Sequence, residues 1–224
     1  MTRTLHSKRR PPHGGQTDSV VIFLHGYGAD GADLLGLADV MGPHLPHTVF
    51  FAPNAPEQSH VNPMGRQWFP IPWIDGSSQH DAETGVTRAA ADLNAYLDQT
   101  MAAEHVAPHR VALVGFSQGT MMALHVGPRR PHAIGGIVGF SGKLLLPDTL
   151  RNDVIVRPPV LLLHGDTDDV VPPTCLPEAA QALKNAGWSE AQVRTHIMKG
   201  TAHGIAPDGI GAAVAFLKDR FGPS

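Results

Sequence analysis

The chain has one cysteine, Cys175, in 224 residues. A single thiol closes no internal disulfide, so stability has to come from a buried core, as suits a reducing compartment, and a cytoplasmic location is expected. No apolar run approaches the roughly 20 residues that a spanning helix needs. A formal net charge of -3 and a pI near 6.5 provide no field that would gather nucleic acid or an anionic membrane. Metal-ligand spacing is also missing despite 14 histidines. There is no HExxH, and His105 and His109, although four apart, straddle Pro108, which interrupts the helix needed to put both on one face. Neither a metal site nor a cofactor is expected. The basic opening segment is followed after Arg10 by Pro, Gly and polar residues instead of an apolar stretch, so export through a signal peptide is not expected, and Lys8-Arg9-Arg10 reads as a solvated tail.

What is present describes an ordinary globular domain: 42% hydrophobic residues, 17% charged residues, and a mean hydropathy of -0.09. The length suits one α/β domain over residues 16–224, preceded by a flexible tail or edge segment over 1–15. Apolar runs of strand length occur at Ser19 to Leu24, Thr48 to Ala52, Arg110 to Gly115, Gly135 to Phe140, Pro159 to Leu163 and Val193 to Met198. They are mostly continuous, as in strands buried on both faces of a mostly parallel sheet with helices on both sides. Helical spacing lies between them, most clearly from Glu83 to Ala103, where Val86, Ala89, Ala90, Leu93, Tyr96, Leu97 and Met101 recur every three or four residues. Shorter helices are predicted for Ser117 to His125, Pro177 to Asn185 and Asp208 to Phe221, with Gly127 and Gly187 as stops. Residues 53–80 hold two of the three Trp and five Pro but no sustained period. They are predicted to form a long loop with a functional role, in which Trp68, Phe69 and Trp73 line a substrate pocket or anchor the loop to the core.

The chemistry concentrates in Gly115-Phe116-Ser117-Gln118-Gly119, a G-x-S-x-G that follows the strand RVALVGF and precedes the helical QGTMMALH. The bare pattern is common, and its context gives it meaning. A strand, a sharp turn bearing Ser, then a helix pushes the hydroxyl out at the end of the sheet, and the helix N-terminus offers N–H groups to an oxyanion. The similar Gly139-Phe140-Ser141-Gly142-Lys143 lacks the second glycine where it is required, and Ser141 is read as a strand-end residue. A serine hydroxyl needs a neighbouring base, and the base needs a carboxylate. His203, in Gly200-Thr201-Ala202-His203-Gly204, lies on a loop past a strand and is bracketed by small residues; it is the candidate base. His196 and His164 lie within or at the end of strands. The acid comes from Asp166, Asp168 or Asp169, which spacing alone does not separate.

A rival pattern is Gly26-Tyr27-Gly28-Ala29-Asp30-Gly31, formally a dinucleotide-binding G-x-G-x-x-G after a strand. That reading wants an acid at the end of the next strand for a ribose, but FFAPNAP offers Asn54 there and no acid before Glu57. It also leaves Ser117, the aspartate run and His203 without a role. A hydrolase-fold protein that binds a ligand without turning it over is the remaining alternative.

Six motifs in order resemble those of the phospholipase/carboxylesterase family of α/β-hydrolases, which includes acyl-protein thioesterases and small bacterial carboxylesterases. They are LHGYGAD at Leu24 to Asp30, APNAP at Ala52 to Pro56, QWFPI at Gln67 to Ile71, GFSQG at Gly115 to Gly119, HGDTDDVVP at His164 to Pro172 and TAHGI at Thr201 to Ile205. The resemblance implies an α/β-hydrolase fold, a small-molecule ester substrate, Asp168 as the catalytic acid, and an oxyanion hole from the main-chain N–H groups of Tyr27 and Gln118. It is compatible with a homodimer. Tyr27 stands where Leu is common, Thr120 follows where the eukaryotic thioesterases read a further Gly, and QWFPIPWIDG is longer than their equivalent. These departures favour a bacterial-type carboxylesterase over a protein thioesterase, with lysophospholipase or acyl-protein thioesterase as the alternative reading.

Overall fold

A computed structural model describes residues 2–222. The six predicted runs form all but the first strand of a seven-stranded sheet in the order β1-β3-β2-β6-β7-β8-β9. Its strands are β1 (Ser7–Arg10), β2 (Ser19–Leu24), β3 (Thr48–Pro53), β6 (Val111–Phe116), β7 (Gly136–Phe140), β8 (Val160–Gly165) and β9 (Val193–Met198); β4 (Glu57–Gln58) and β5 (Arg66–Gln67) make a separate hairpin. All neighbours in the large sheet run parallel except β1, which pairs antiparallel with β3. The helices are α1 (Gly31–Leu35), α2 (Leu37–Met41), α3 (Pro72–Asp75), α4 (Gln79–Glu104), α5 (Gln118–Val126), α6 (Pro147–Asp153), α7 (Cys175–Asn185) and α8 (Pro207–Phe221). Among the described residues no helix is long and apolar enough to cross a membrane.

The continuity of the apolar runs follows from burial on both sides. Val20, Ile22 and Leu24 point into one core with Leu93 and Leu97 of α4, Met121 and Met122 of α5 and Leu183 of α7. The intervening Val21 and Phe23 point into a second core with Leu34 of α1, Met41 of α2 and Phe216 and Leu217 of α8. A strand such as β2 thus reads as one unbroken hydrophobic stretch.

Two expectations need correction. Lys8-Arg9-Arg10 is not a solvated tail: it is part of edge strand β1, in register with Phe50 to Ala52. Its side chains are all exposed, and Arg9 and Arg10 pair with Glu104 and Asp39. Pairing there is through the main chain, so no apolar signal marks it. Residues 53–80 are not one long loop either, because they contain the β4/β5 hairpin, α3 and the first turn of α4. That helix begins at Gln79 and not at Glu83, through a capping box in which Asp81 N–H donates to the Ser78 hydroxyl and Ser78 N–H donates to Asp81.

Candidate active site

Ser117 sits between β6 and α5 with φ 53° and ψ -115°, a region costly for a residue with a Cβ. The surroundings dictate the glycines. A Cβ on Gly119 would strike the Leu24 carbonyl, and one on Gly115 would strike the main chain of Gly119 and Thr120. The turn is pinned by Ser117 N–H donating to Phe140 O at 2.9 Å and by the Thr120 hydroxyl, 2.8 Å from both Gly115 O and Phe140 O. Ser141, at the end of β7, also has positive φ, and its hydroxyl donates to Gly204 O at 3.3 Å, bracing the loop that carries His203.

Of the three aspartates, Asp168 meets His203. His203 Nδ1 lies 2.8 Å from Asp168 Oδ2; a carboxylate only accepts, so Nδ1 carries a proton, and in the neutral ring Nε2 is the nitrogen that accepts. Asp168 Oδ1 accepts from Val170 N–H and Val171 N–H, both at 2.9 Å. Burial raises the Asp168 pKa, but the His203 bond and these two N–H groups outweigh it and hold the carboxyl below its ordinary range. Asp166 organises the turn instead, accepting from Gly200 N–H at 2.7 Å, while Asp169 is exposed. His164, set aside in the sequence as a strand-end residue, is 97% buried on its side chain, and its Nε2 lies 3.2 Å from Asp168 Oδ2 and 2.9 Å from Val171 O.

Ser117 and His203 line one cleft of about 190 Å³ with Gly26, Tyr27, Trp73 and Met121. It opens at the C-terminal ends of β2, β6 and β8, where main-chain groups face out of a parallel sheet. Among the described residues, neither Tyr27 N–H nor Gln118 N–H donates to a protein acceptor. Gln118 is the first residue of α5, so its N–H is one of the orphan donors of a helix start. The arrangement offers a hydroxyl, an oriented imidazole and two free main-chain donors, the set that acyl transfer requires.

The three aromatic candidates separate. Trp68 is fully buried and its Nε1–H donates to His25 O at 3.0 Å, so it anchors the core and does not line the cleft. Phe69 is likewise buried and faces the neighbouring apolar cavity instead. Trp73 is 61% exposed and lines the cleft, with the Lys143 ammonium 4.1 Å from its ring centroid.

The glycine-rich segment after β2 is built for packing. Asp30 caps α1 by accepting from Ala32 N–H at 2.7 Å, Gly31 N–H donates to Asn54, and a Cβ on Gly31 would strike the Ala52 carbonyl. That helix start has a carboxylate in place of a phosphate, in a helix of five residues. His25 is buried, its Nε2 accepting from Ala55 N–H at 2.9 Å and its Nδ1–H donating to Gly26 O at 2.7 Å. Burial lowers its pKa, which keeps this neutral tautomer.

A family model described as phospholipase/carboxylesterase matches residues 11–220. Acyl-protein thioesterase 1 of Saccharomyces cerevisiae is 32% identical over 213 residues, covering 88% of this chain and 91% of the yeast protein. A crystal structure of esterase PE8 superposes with a TM-score of 0.90 at 39% identity, covering 97% of this chain and 99% of that one. Acyl-protein thioesterase 2 of Zea mays, at 24% identity and a TM-score of 0.77, covering 97% of this chain and 99% of that one, shows the same fold. With the family model spanning nearly all of it, this chain belongs to the phospholipase/carboxylesterase family of α/β-hydrolases and is a carboxylic ester hydrolase.

Proposed function

We propose that the protein is a serine carboxylesterase working through an acyl-enzyme on Ser117. The observation that carries this is the meeting of three segments distant in sequence: Asp168 bonded to His203 at 2.8 Å, and His203 sharing a cleft wall with Ser117. Ser117 attacks the ester carbonyl while His203 Nε2 takes its proton, and Asp168 holds the tautomer and stabilises the imidazolium. The oxyanion is met by Tyr27 N–H and Gln118 N–H, each worth roughly 2.7 to 4 kcal/mol of barrier. His203 then protonates the leaving alcohol and activates the water that releases the acid.

The cleft volume of about 190 Å³ favours small acyl groups lying against Trp73. The yeast relative named acyl-protein thioesterase supports a second reading, thioester cleavage at the same serine. A reducing, cytoplasmic compartment fits the lone thiol of Cys175.

The test is hydrolysis of p-nitrophenyl esters from acetyl to palmitoyl, and of matched thioesters, by the wild type and by Ser117→Ala. The substitution is expected to abolish turnover, and the preferred substrate then separates the two readings. Turnover that survives it would remove Ser117 as nucleophile, and a folded wild type inactive on all of these substrates would overturn the esterase reading.

A further inference from the structure

The side chains of the two residues proposed as oxyanion donors hold the same piece of chain. Gln118 brackets the segment that follows β5, its Oε1 accepting from Trp68 N–H at 2.8 Å and its Nε2 donating to Phe69 O at 2.7 Å. Farther along, the Tyr27 hydroxyl donates to Asp75 Oδ2 at 2.9 Å. Asp75, whose carboxylate is entirely shielded from solvent, also accepts from Ile71 N–H and Ser77 N–H at 2.9 Å and has His60 Nδ1 at 3.5 Å. One carboxylate thus closes the turn that carries Trp73 and Ile74 onto the cleft wall and ties it to Tyr27.

We infer that Asp75 is a positioning residue for ester hydrolysis, fixing through the Tyr27 hydroxyl the loop whose Tyr27 N–H meets the oxyanion. The inference rests on the esterase reading above and deepens it.

Three observations support a functional tether over mere loop anchoring. The loop between β2 and α1 is tied on either side of Tyr27, by His25 Nδ1–H to Gly26 O at 2.7 Å and by Gly28 N–H to Arg66 O at 2.8 Å, but the Tyr27 side chain between these points is held by its hydroxyl on Asp75. The turn is already closed without Tyr27, by the two N–H groups on Asp75 and by the Trp73–Lys143 contact, so the hydroxyl is superfluous to the turn itself. Finally, the two groups stay in complementary protonation states. Burial and the Asp75 contact push the Tyr27 phenol up to about 12, while Asp75, which burial alone would raise, is held at about 2 by Ser77, Ile71 and Tyr27. A protonated donor therefore faces a full anion throughout the working range, in the stronger, charge-assisted class of hydrogen bond.

The test is Tyr27→Phe, which keeps the ring and leaves Asp75 its two N–H donors. The kcat on p-nitrophenyl acetate is expected to fall about tenfold with KM within about twofold, a fraction of the loss from deleting a donor outright. Affinity for phenylboronic acid, which forms a tetrahedral adduct on the serine, is expected to fall by a similar factor, and affinity for acetate to stay unchanged. A merely structural role would lower the melting temperature and leave that ratio alone. Asp75→Asn gives the second measurement, and the double variant is expected to lose no more than the more damaged single. Normal kcat and boronate affinity in a folded Tyr27→Phe, or losses that add in the double variant, would overturn the tether while leaving the esterase reading intact. A wild type that neither hydrolyses esters nor binds the boronate would overturn both.

Discussion

Replacing Trp68 with Phe separates anchoring from substrate binding, because the ring lies against His25 of the loop after β2 without lining the cleft. The indole is fully buried, its Nε1–H donates to the His25 carbonyl at 3.0 Å, and its ring centroid stands 5.7 Å from that of His25. Phe removes the donor and leaves a buried carbonyl unpaired, at about 1 to 1.5 kcal/mol. It also vacates roughly 40 Å³, which at about 24 cal/mol per Å³ adds about 1 kcal/mol. The expected loss is about 2 to 2.5 kcal/mol, read in urea as a lower midpoint with an unchanged slope, or as a melting temperature lower by roughly 4 to 10 °C. Activity of the folded fraction is expected to fall by the same factor on acetyl and octanoyl esters, since the residue acts through His25 and Gly26 and not on the acyl chain. A stability change below about 0.5 kcal/mol together with a loss confined to long acyl chains would refute the anchoring argument.

Trp73→Ala is the converse case: it removes an exposed cleft wall, so stability is expected to stay within about 0.5 kcal/mol while kcat/KM falls about tenfold on octanoyl esters and less than about threefold on acetyl. Equal losses on both, in initial-rate assays, would take Trp73 off the acyl path. A pH dependence of stability follows from two histidines held neutral: burial lowers the His25 pKa, and burial, then Arg129, lowers that of His125 to about 4. The unfolded chain binds those protons near pH 6.5 and the folded chain does not, so this contribution is complete above about pH 6.5 and is lost as pH falls toward 4. Urea midpoints at pH 7.5, 5.5 and 4.5 are expected to decline in that order, with a shallower decline in His125→Gln; a parallel decline would exclude His125.

Most of the sheet was legible because a strand buried on both faces writes its pattern at every residue, as SVVIFL does in β2. Edge strand β1 was not, since SKRR pairs only through its main chain and shows solvent every side chain. The start of α4 was hidden for a different reason: its first turn, QHDA, carries no apolar stripe, and only the Ser78 and Asp81 pair marks the boundary. Ser117 was marked by its flanking glycines, which the structure shows are demanded by the Leu24 carbonyl and by the Gly119 and Thr120 main chain. The choice of Asp168 among three aspartates needed the positions of Val170 and Val171 N–H, set by how the turn after β8 closes, and no spacing rule encodes that.

The aromatic segment shows why a residue type is a weaker signal than its partner. Trp68 and Trp73 are five residues apart in a stretch without periodicity, yet one is entirely buried and the other largely exposed. What separates them is the pair of contacts from Gln118, which draws Trp68 and Phe69 inward against α5, after which Ile71 is extended and Pro72 opens α3, which turns Trp73 back over the cleft. The same side-chain amide that fixes the aromatic segment belongs to the residue that opens α5 directly after Ser117. Lengthening or shortening this segment therefore has to preserve its ties to Gln118 and Tyr27 if both main-chain donors are to keep their direction. The Tyr27 hydroxyl and Asp75 belong to that constraint: Ile71 N–H and Ser77 N–H already close the turn, so the bond between Tyr27 and Asp75 acts on the loop that carries Tyr27 and not on the turn itself.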